Sequence, residues 1–507
     1  MSRPDRTSVD DYTSHGPAPQ GCPHREGRLV LSNEDMRDGP ATLYHRMREQ
    51  YGPVVPIDLD PQGTENGTPA WLVIGYSELL EVCSDEDRFS RDSRHWRELR
   101  EGRLPADWWL RPHVAHRDNT RFADTPYHQP RRDALIRALK SVDQTHVVRL
   151  VTTYADQLID RFCALGETEV IAEYARPLPL LVTARLFGLR SPGDQANLLD
   201  AIHRMLTGGK QAQRADHEIT KVLQNLVEDR RLTPQDDLAS RLIAAAPGQD
   251  DQAIREELWL LLHAGAGATT YWIANAFQQL ATDHGLRTGL NNGSHTLDAV
   301  LRATLWNAPP AENVMGAFAR RDTVLGGRQI QTGDMLVLGL GGANHDPILG
   351  TARASYTTSN DSHLAFGAGV HRCPAPGQIL GELITSVAVE RLWQRCPNMS
   401  LAEPGTPLSW GPSFVMRALT ALPVVFDASE PGSRRAPDLS AFGGPEWSSP
   451  QSSDSPTEYP PRTSSNSPGP STDSIPSGAT SRRKDRPSRR SDRSSLWSSL
   501  IAWWRGQ

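Results

Sequence analysis

A mainly α-helical fold with a small β portion is what this sequence predicts, on three observations. Apolar residues recur at helical spacing over long segments, above all Ile254 to Leu280 and Gln378 to Trp393. Continuous apolar runs of strand length are few, and Trp71-Leu72-Val73-Ile74 is the clearest of them. Turn signals of the kind a small sheet needs, Gly326-Gly327 and Thr332-Gly333-Asp334, gather in one stretch, Val324 to Leu340.

Taken in order, residues 1–27 are polar with Pro and Gly and are expected to be disordered, because they offer too little apolar surface to offset chain entropy. A folded domain is expected over 28–428. Its first strand is Trp71–Ile74, followed by a short helix from Glu78 to Cys83. Further helices are expected at Asp133 to Leu139, His146 to Leu165, Thr183 to Leu186, Ile254 to Leu280 and Leu297 to Trp306. From Ser429 the composition turns to Ser, Pro, Thr, Asp and Arg, so 429–493 is expected to be a disordered tail. Within it, residues 482–493 carry seven basic and two acidic side chains. The end, 494–507, is different: Leu496, Trp497, Leu500, Ile501, Trp503 and Trp504 make an amphipathic segment suited to an anionic membrane surface or a partner's groove.

Bulk numbers narrow the function classes. A net charge of −6 and a pI near 6.3 argue against nucleic acid as the partner of the whole chain. No apolar run is long enough for a transmembrane helix, and the N-terminus lacks the apolar core of a secretory signal. Cys22, Cys83, Cys163, Cys373 and Cys396 are scattered without paired spacing, which fits a reducing cytoplasm and not a disulfide framework. Only four of the 54 basic residues are lysine, a bias that points to a GC-rich bacterial genome.

The chemistry concentrates in Phe366-Gly367-Ala368-Gly369-Val370-His371-Arg372-Cys373-Pro374-Ala375. A glycine-rich loop here meets an apolar helix at a single cysteine. Glycines let the backbone wrap a sulfur closely, since they accept positive φ and bring no Cβ. Cys373 near a helix N-terminus is expected to have a lowered thiol pKa, and Pro374 and Pro376 suit a first helical turn. A lone cysteine is more commonly a small buried hydrophobe; ten positions of this spelling favour a thiolate ligand to a haem iron.

This loop resembles the cysteine signature of the cytochrome P450 superfamily, and other motifs spread over roughly residues 30 to 427 resemble it in the same order. The similarity implies the cytochrome P450 fold, haem b as cofactor and Cys373 as its axial ligand. His128 and Arg132, in Tyr127-His128-Gln129-Pro130-Arg131-Arg132, match the pair that grips haem carboxylates, as does His371. Phe366 matches the aromatic residue that shields the sulfur. Leu260 to Thr270 resembles the helix that crosses the opposite face of the haem, with Thr269 as the catalytic hydroxyl that manages oxygen and protons. Read without the loop, that helix is a glycine-softened core element whose threonine bonds its own backbone. Glu382 and Asn344-His345-Asp346 also fall where the family has comparable, structural residues.

Two departures stand out. The acid that usually precedes the threonine is Ala268 here, and His263 lies more than a turn from Thr269 and is not assigned that role. The family's Glu-x-x-Arg pair is replaced by Ala303 and Trp306, and its third member, an arginine before His363, is missing from Tyr356 to Ser362. Losing a whole buried ion-pair set together can be nearly neutral, whereas losing one member costs roughly 3–5 kcal/mol. Trp306 is therefore read as an apolar plug, with Asp298 and Arg302 as a substitute surface pair.

The resemblance implies a monooxygenase inserting one atom of O2 into an apolar small molecule, with electrons from NAD(P)H through a ferredoxin reductase and ferredoxin. No cluster spacing of cysteines and no Gly-x-Gly-x-x-Gly after a strand supplies those centres in this chain. The contrasting expectation, raised by the two departures and the tail, is a haem-binding sensor or scaffold without turnover. The resemblance places the distal pocket among loops at 90–120 and 165–215, with Trp96, Trp108 and Trp109 either lining or capping it or packed in core or surface.

Overall fold

The computed structural model describes residues 28–30, 40–59, 67–106, 108, 110–207, 210–352, 360–408, 410 and 414–432. The expectations for 1–27, for the tail beyond 432, for Trp109 and for residues 353–359 lie outside these. All described residues belong to one unit, Met1–Pro437.

Helices dominate, as the apolar spacing predicts, and a six-stranded sheet sits to one side. Its order is Leu29–Val30, Val54–Asp58, Pro69–Val73, Met335–Gly339, Asn313–Ala319 and Phe89–Ser90. Pro69–Val73 pairs antiparallel with Val54–Asp58 and parallel with Met335–Gly339. Its alternation explains the continuous apolar spelling, because both faces of a covered strand are buried. Ala70 and Leu72 enter one core with Ile57, Val337 and Phe318, while Trp71 and Val73 enter another with Leu79, Leu336 and Leu338. The Gly326-Gly327 signal closes a hairpin between Thr323–Leu325 and Arg328–Ile330, both glycines at positive φ, as such a two-residue turn requires. A three-stranded sheet joins Ser400–Leu401, Pro423–Val425 and Glu167–Glu169.

The helices His128–Lys140, Gly267–Thr282 and Ala375–Arg395 start without a side-chain cap, whereas several of their neighbours are capped. His128–Lys140 and Gln144–Ile159 follow each other, the second capped by Asp143. The expected single helix over Ile254–Leu280 is two: Asp251–Leu261, capped by Asp250, and Gly267–Thr282, joined by a π-turn at Leu262–Ala266. Gly265 and Gly267 weaken the regular ladder there, and π-turns recur at functional sites. Leu297–Asn307 is capped by Thr296. Ala375–Arg395 starts with Pro374 as its cap and Pro376 in its first turn.

The segment 165–215, expected to supply pocket loops around a helix at Thr183 to Leu186, is mostly helical: Pro177–Phe187, Pro192–Thr207 and the start of Lys210–Leu232. Pro177 and Pro192 sit in first turns, where they do not break a helix. Trp96 and Trp108 take the core-packing alternative, packed together at 5.7 Å between ring centres and buried with Phe318. Among the described residues no helix is long and apolar enough to cross a membrane.

Candidate active site

The cysteine loop is shaped by two glycines. Gly367 and Gly369 adopt φ of +72° and +65°, and a Cβ at Gly369 would collide with the Cys83 carbonyl oxygen. The Cys373 amide donates to the Phe366 carbonyl at 2.8 Å, closing the loop, and the Gln378 side-chain amide donates to the Cys373 carbonyl at 2.5 Å. At Gly377, one turn along the helix, a Cβ would stand 3.4 Å from the sulfur. The sulfur therefore sits in a collar with little side-chain cover.

Its electrostatics differ from the dipole expectation. Burial pushes the Cys373 thiol up to about 11, with the positive charges of Arg132 and Arg372 pulling the other way. Desolvation of a thiolate outweighs the partial charge of a helix end. Ionisation then requires a bound metal, which deprotonates a coordinating thiol outright.

Around the sulfur, the candidates converge. His128 is buried at the start of its helix, and its ring lies 4.1 Å from that of His371. Nε2 of both histidines is buried without a hydrogen-bond partner. Burial, then Arg91 among nearby charges, drives His371 down to about 2; burial and Arg132 also lower His128. Arg132 has no hydrogen bond or ion pair among the described residues. Phe366 packs edge-on to Trp272 at 5.9 Å and beside His363 at 5.8 Å.

On the other helix, the Thr269 hydroxyl donates to the Gly265 carbonyl at 2.7 Å, the backbone bond its position allows. Ala264 and Gly265 are exposed, although Thr269 through Phe277 are buried, so the helix opens to free space at its π-turn. A Cβ at Gly381, two turns beyond Cys373, would lie 4.0 Å from the Thr269 oxygen, which ties the two helices together. His263 stacks on Trp259 at 4.8 Å and faces His113 at 5.5 Å; burial keeps both imidazoles neutral, His113 down to about 4.

Where the ion-pair set is missing, Trp306 is fully buried, its indole N–H donating to the Asn360 carbonyl at 2.8 Å and its ring edge-on to His363. Asn344 donates to the Leu305 and Trp306 carbonyls and accepts from the Leu364 amide. Arg302 pairs with Asp298 at 2.7 Å and with Asp361 at 3.1 Å. The helix thus reaches the strand of chain before the cysteine loop through a tryptophan, an asparagine and a surface arginine. Glu382 stands near this acidic and basic group, its carboxyl raised by burial and by Asp298 and Asp361.

A porphyrin with two carboxylates and a sulfur-ligated metal fits these residues. Glu86, His128 and His371 bring one oxygen and two ring nitrogens within 4.8 Å of each other, a shape that would suit a cation. The surrounding Arg91, Arg121 and Arg132 charges decide against that and favour an anion there. Sequence reasoning missed Glu86, Arg91, Arg121 and His113, since single arginines carry no signal in so arginine-rich a chain.

No family model matches the chain. It is 29% identical over 394 residues to cytochrome P450 107B1 of Saccharopolyspora erythraea, spanning 75% of this chain and 93% of that one. It is 28% identical over 423 residues to the cytochrome P450 monooxygenase PikC of Streptomyces venezuelae, spanning 80% and 96%. CYP154C4 from a Streptomyces superposes with a TM-score of 0.71 at 26% identity, covering 79% of this chain and 99% of that one. These likenesses run almost the full length of each relative and share its fold, so the chain belongs to the cytochrome P450 superfamily and is a haem-binding oxidoreductase.

Proposed function

We propose that the protein is a haem-thiolate monooxygenase acting on an apolar small molecule, with Cys373 as the iron ligand. The bound haem supplies reductive activation of dioxygen, so that one oxygen atom enters a substrate C–H bond and the other leaves as water, consuming two electrons and two protons. The observation that carries this reading is the desolvated Cys373 sulfur in its glycine collar, beside Arg132 and two histidines whose buried Nε2 atoms make no hydrogen bond.

The chain's own residues then have separable tasks. Cys373 gives the sulfur, and the Gln378 bond to its carbonyl fixes the loop. His128, Arg132 and His371 present donors to the haem carboxylates, where charge-assisted bonds are strong. Phe366 and Trp272 keep the neighbourhood of the sulfur apolar, which tunes the metal's potential. Thr269 holds a proton at its oxygen toward Gly265 and keeps its lone pairs free to accept from water. With Ala268 in place of an acid, that hydroxyl and solvent are the proton-handling groups this helix offers.

Electrons come from a separate donor, ferredoxin in our reading, fed by a ferredoxin reductase. Val370 and Ile379, at 41% and 43% exposure, and the exposed Arg372 flank Cys373 in sequence and support a docking face on that side. Cytoplasmic residence follows from the same reading.

The sensor alternative draws on Ala268 and on the missing ion pair, but Trp306 and Asn344 supply another tie to the loop. Purified protein is reduced under carbon monoxide, then supplied with NADPH, surrogate ferredoxin and reductase and a panel of apolar compounds. The thiolate carbonyl band with oxygenated product supports the proposal; the band without product from any member of a broad panel favours the sensor.

A further inference from the structure

The π-turn at which the Thr269 helix opens also carries an imidazole with nothing to bond. His263 lies in Leu262–Ala266, next to the exposed Ala264 and Gly265. Its ring stacks on Trp259 at 4.8 Å between centres, 17° from parallel. Trp259 is itself pinned: its indole N–H donates to Asp216 at 2.9 Å, and the Arg117 guanidinium stands 3.8 Å from its ring centre. Arg117 in turn holds Asp216 at 2.5 Å and Glu256 at 2.9 Å. A loop and two helices thus orient one imidazole that makes no hydrogen bond among the described residues.

His113 faces it from Arg111–Val114, with 5.5 Å between ring centres. Its main-chain carbonyl accepts from Arg121, but its Nδ1 is buried with no hydrogen-bond partner. A buried N–H without an acceptor is rarer than a buried lone pair without a donor. Nδ1 therefore keeps its lone pair, and Nε2 carries the hydrogen. Burial and the Arg121 charge hold both rings neutral, so each offers one donor and one acceptor. Packing alone does not account for the pair, since phenylalanine would fill either place without an unpaired nitrogen. The rest of the turn is apolar, and a Cβ at Gly267 would stand 3.7 Å from the Met416 methyl.

We propose that His113 and His263 form a polar subsite beside the open π-turn that binds a neutral carbonyl oxygen on an otherwise apolar substrate. This rests on the monooxygenase reading and narrows its substrate class. A carbonyl oxygen has two lone pairs, one for each imidazole N–H. An ammonium is opposed by Arg117 and Arg121, whose charges already bear on His263. A carboxylate finds no free cation there: Arg117 is taken by Asp216 and Glu256, and Arg121 is turned to the His113 and Met315 carbonyls.

The test is equilibrium dialysis of purified holoprotein against cyclic ketones from cyclooctanone to cyclopentadecanone, each compared with the cycloalkane of the same ring. In the parent, at least one ketone should bind about fivefold to tenfold more tightly than its cycloalkane, the range of one net hydrogen bond. His263→Phe and His113→Phe keep a flat ring and lose the nitrogens, and each should cut that preference to about twofold or less with cycloalkane binding unchanged. His263→Gln and His113→Gln keep an N–H donor and should recover part of it. A purely structural role would move ketone and cycloalkane together. Every variant is first shown to melt cooperatively, as the parent does. A parent without the thiolate band under carbon monoxide sinks the haem reading by itself, because dialysis measures the ketone independently of that band. Loss of preference in one phenylalanine variant alone assigns the hydrogen bond to that imidazole. The proposal is overturned by a parent that prefers no ketone of the series, or that binds cyclododecanecarboxylic acid more tightly than cyclododecanone. Phenylalanine variants that both keep the parent's preference overturn it as well.

Discussion

The indole N–H of Trp306 donates to the main-chain carbonyl of Asn360 at 2.8 Å, three residues before His363, on whose ring the same indole packs edge-on. One side chain thus fills space between helices and satisfies the chain that leads into the cysteine loop. Trp306→Ala should cost about 3–5 kcal/mol through the cavity it leaves. Trp306→Phe keeps most of the bulk and should cost nearer 1 kcal/mol through the lost hydrogen bond. Thermal denaturation of the holoprotein separates the two; equal losses would mean that bulk does not matter at this position.

The surface pair beside it should matter far less. Asp298 is 76% exposed and Arg302 24% exposed, so solvent screens the pair. Asp298→Ala is expected to change stability by no more than about 0.5 kcal/mol. A loss comparable with Trp306→Ala would show that the arginine, and not the tryptophan, replaces the absent ion pair.

Removing the sulfur has a spectroscopic signature. Cys373→Ser should abolish the red-shifted carbonyl band, because the alcohol is a poorer ligand than the thiolate, while circular dichroism stays close to the parent's. Retention of the full band would place the ligand elsewhere.

Thr269 should affect the use of electrons more than their supply. Thr269→Ala removes the hydroxyl that bonds Gly265 and should lower product formed per NADPH by roughly tenfold, less than the hundredfold or more of a full proton-transfer contribution because solvent substitutes in part. Thr269→Ser should recover much of it. Equal yields in all three proteins would leave the residue a purely structural role.

Glu257 gives the fold a pH dependence. Burial lifts its carboxyl to about 7, against hydrogen bonds from the Thr120 amide and hydroxyl that pull it down. A carboxyl raised in the folded state is held in its protonated form, so its contribution is full below the unfolded value near 4.5. It is lost as pH rises to about 7, and the loss is on the order of 3 kcal/mol. The parent's melting temperature should fall between pH 5 and 7.5 by more than that of Glu257→Gln. Parallel curves would show that this carboxyl is ionised at both ends of the range.

Much of this fold was legible because its strongest signals are local. Leu297–Asn307 and Ala375–Arg395 carry helical spacing with a cap or a proline at the right end, and Pro69–Val73 reads as a covered strand. The helices Pro192–Thr207 and Lys210–Leu232 were not read, since their polar faces dilute the apolar period and their neighbours include proline and glycine. The π-turn at Leu262–Ala266 is likewise invisible to a period count. In the site, Cys373, His128, Arg132 and His371 could be named from motif spacing. Arg91 and Arg121, which donate to the Gly316 and Met315 carbonyls, could not, because that meeting with a distant strand is a property of three dimensions. The thiol's raised pKa was missed for a related reason: the dipole is read from a helix start, whereas desolvation depends on what surrounds it.

Gly369 presses so closely on the Cys83 carbonyl that no side chain fits between them. The Cys373 loop is therefore indexed to the helix Tyr76–Ser84, almost three hundred residues earlier in the chain. A one-residue insertion near Cys83 would have to be absorbed by the loop, and the iron's absorption spectrum would register an alteration made far from it in sequence.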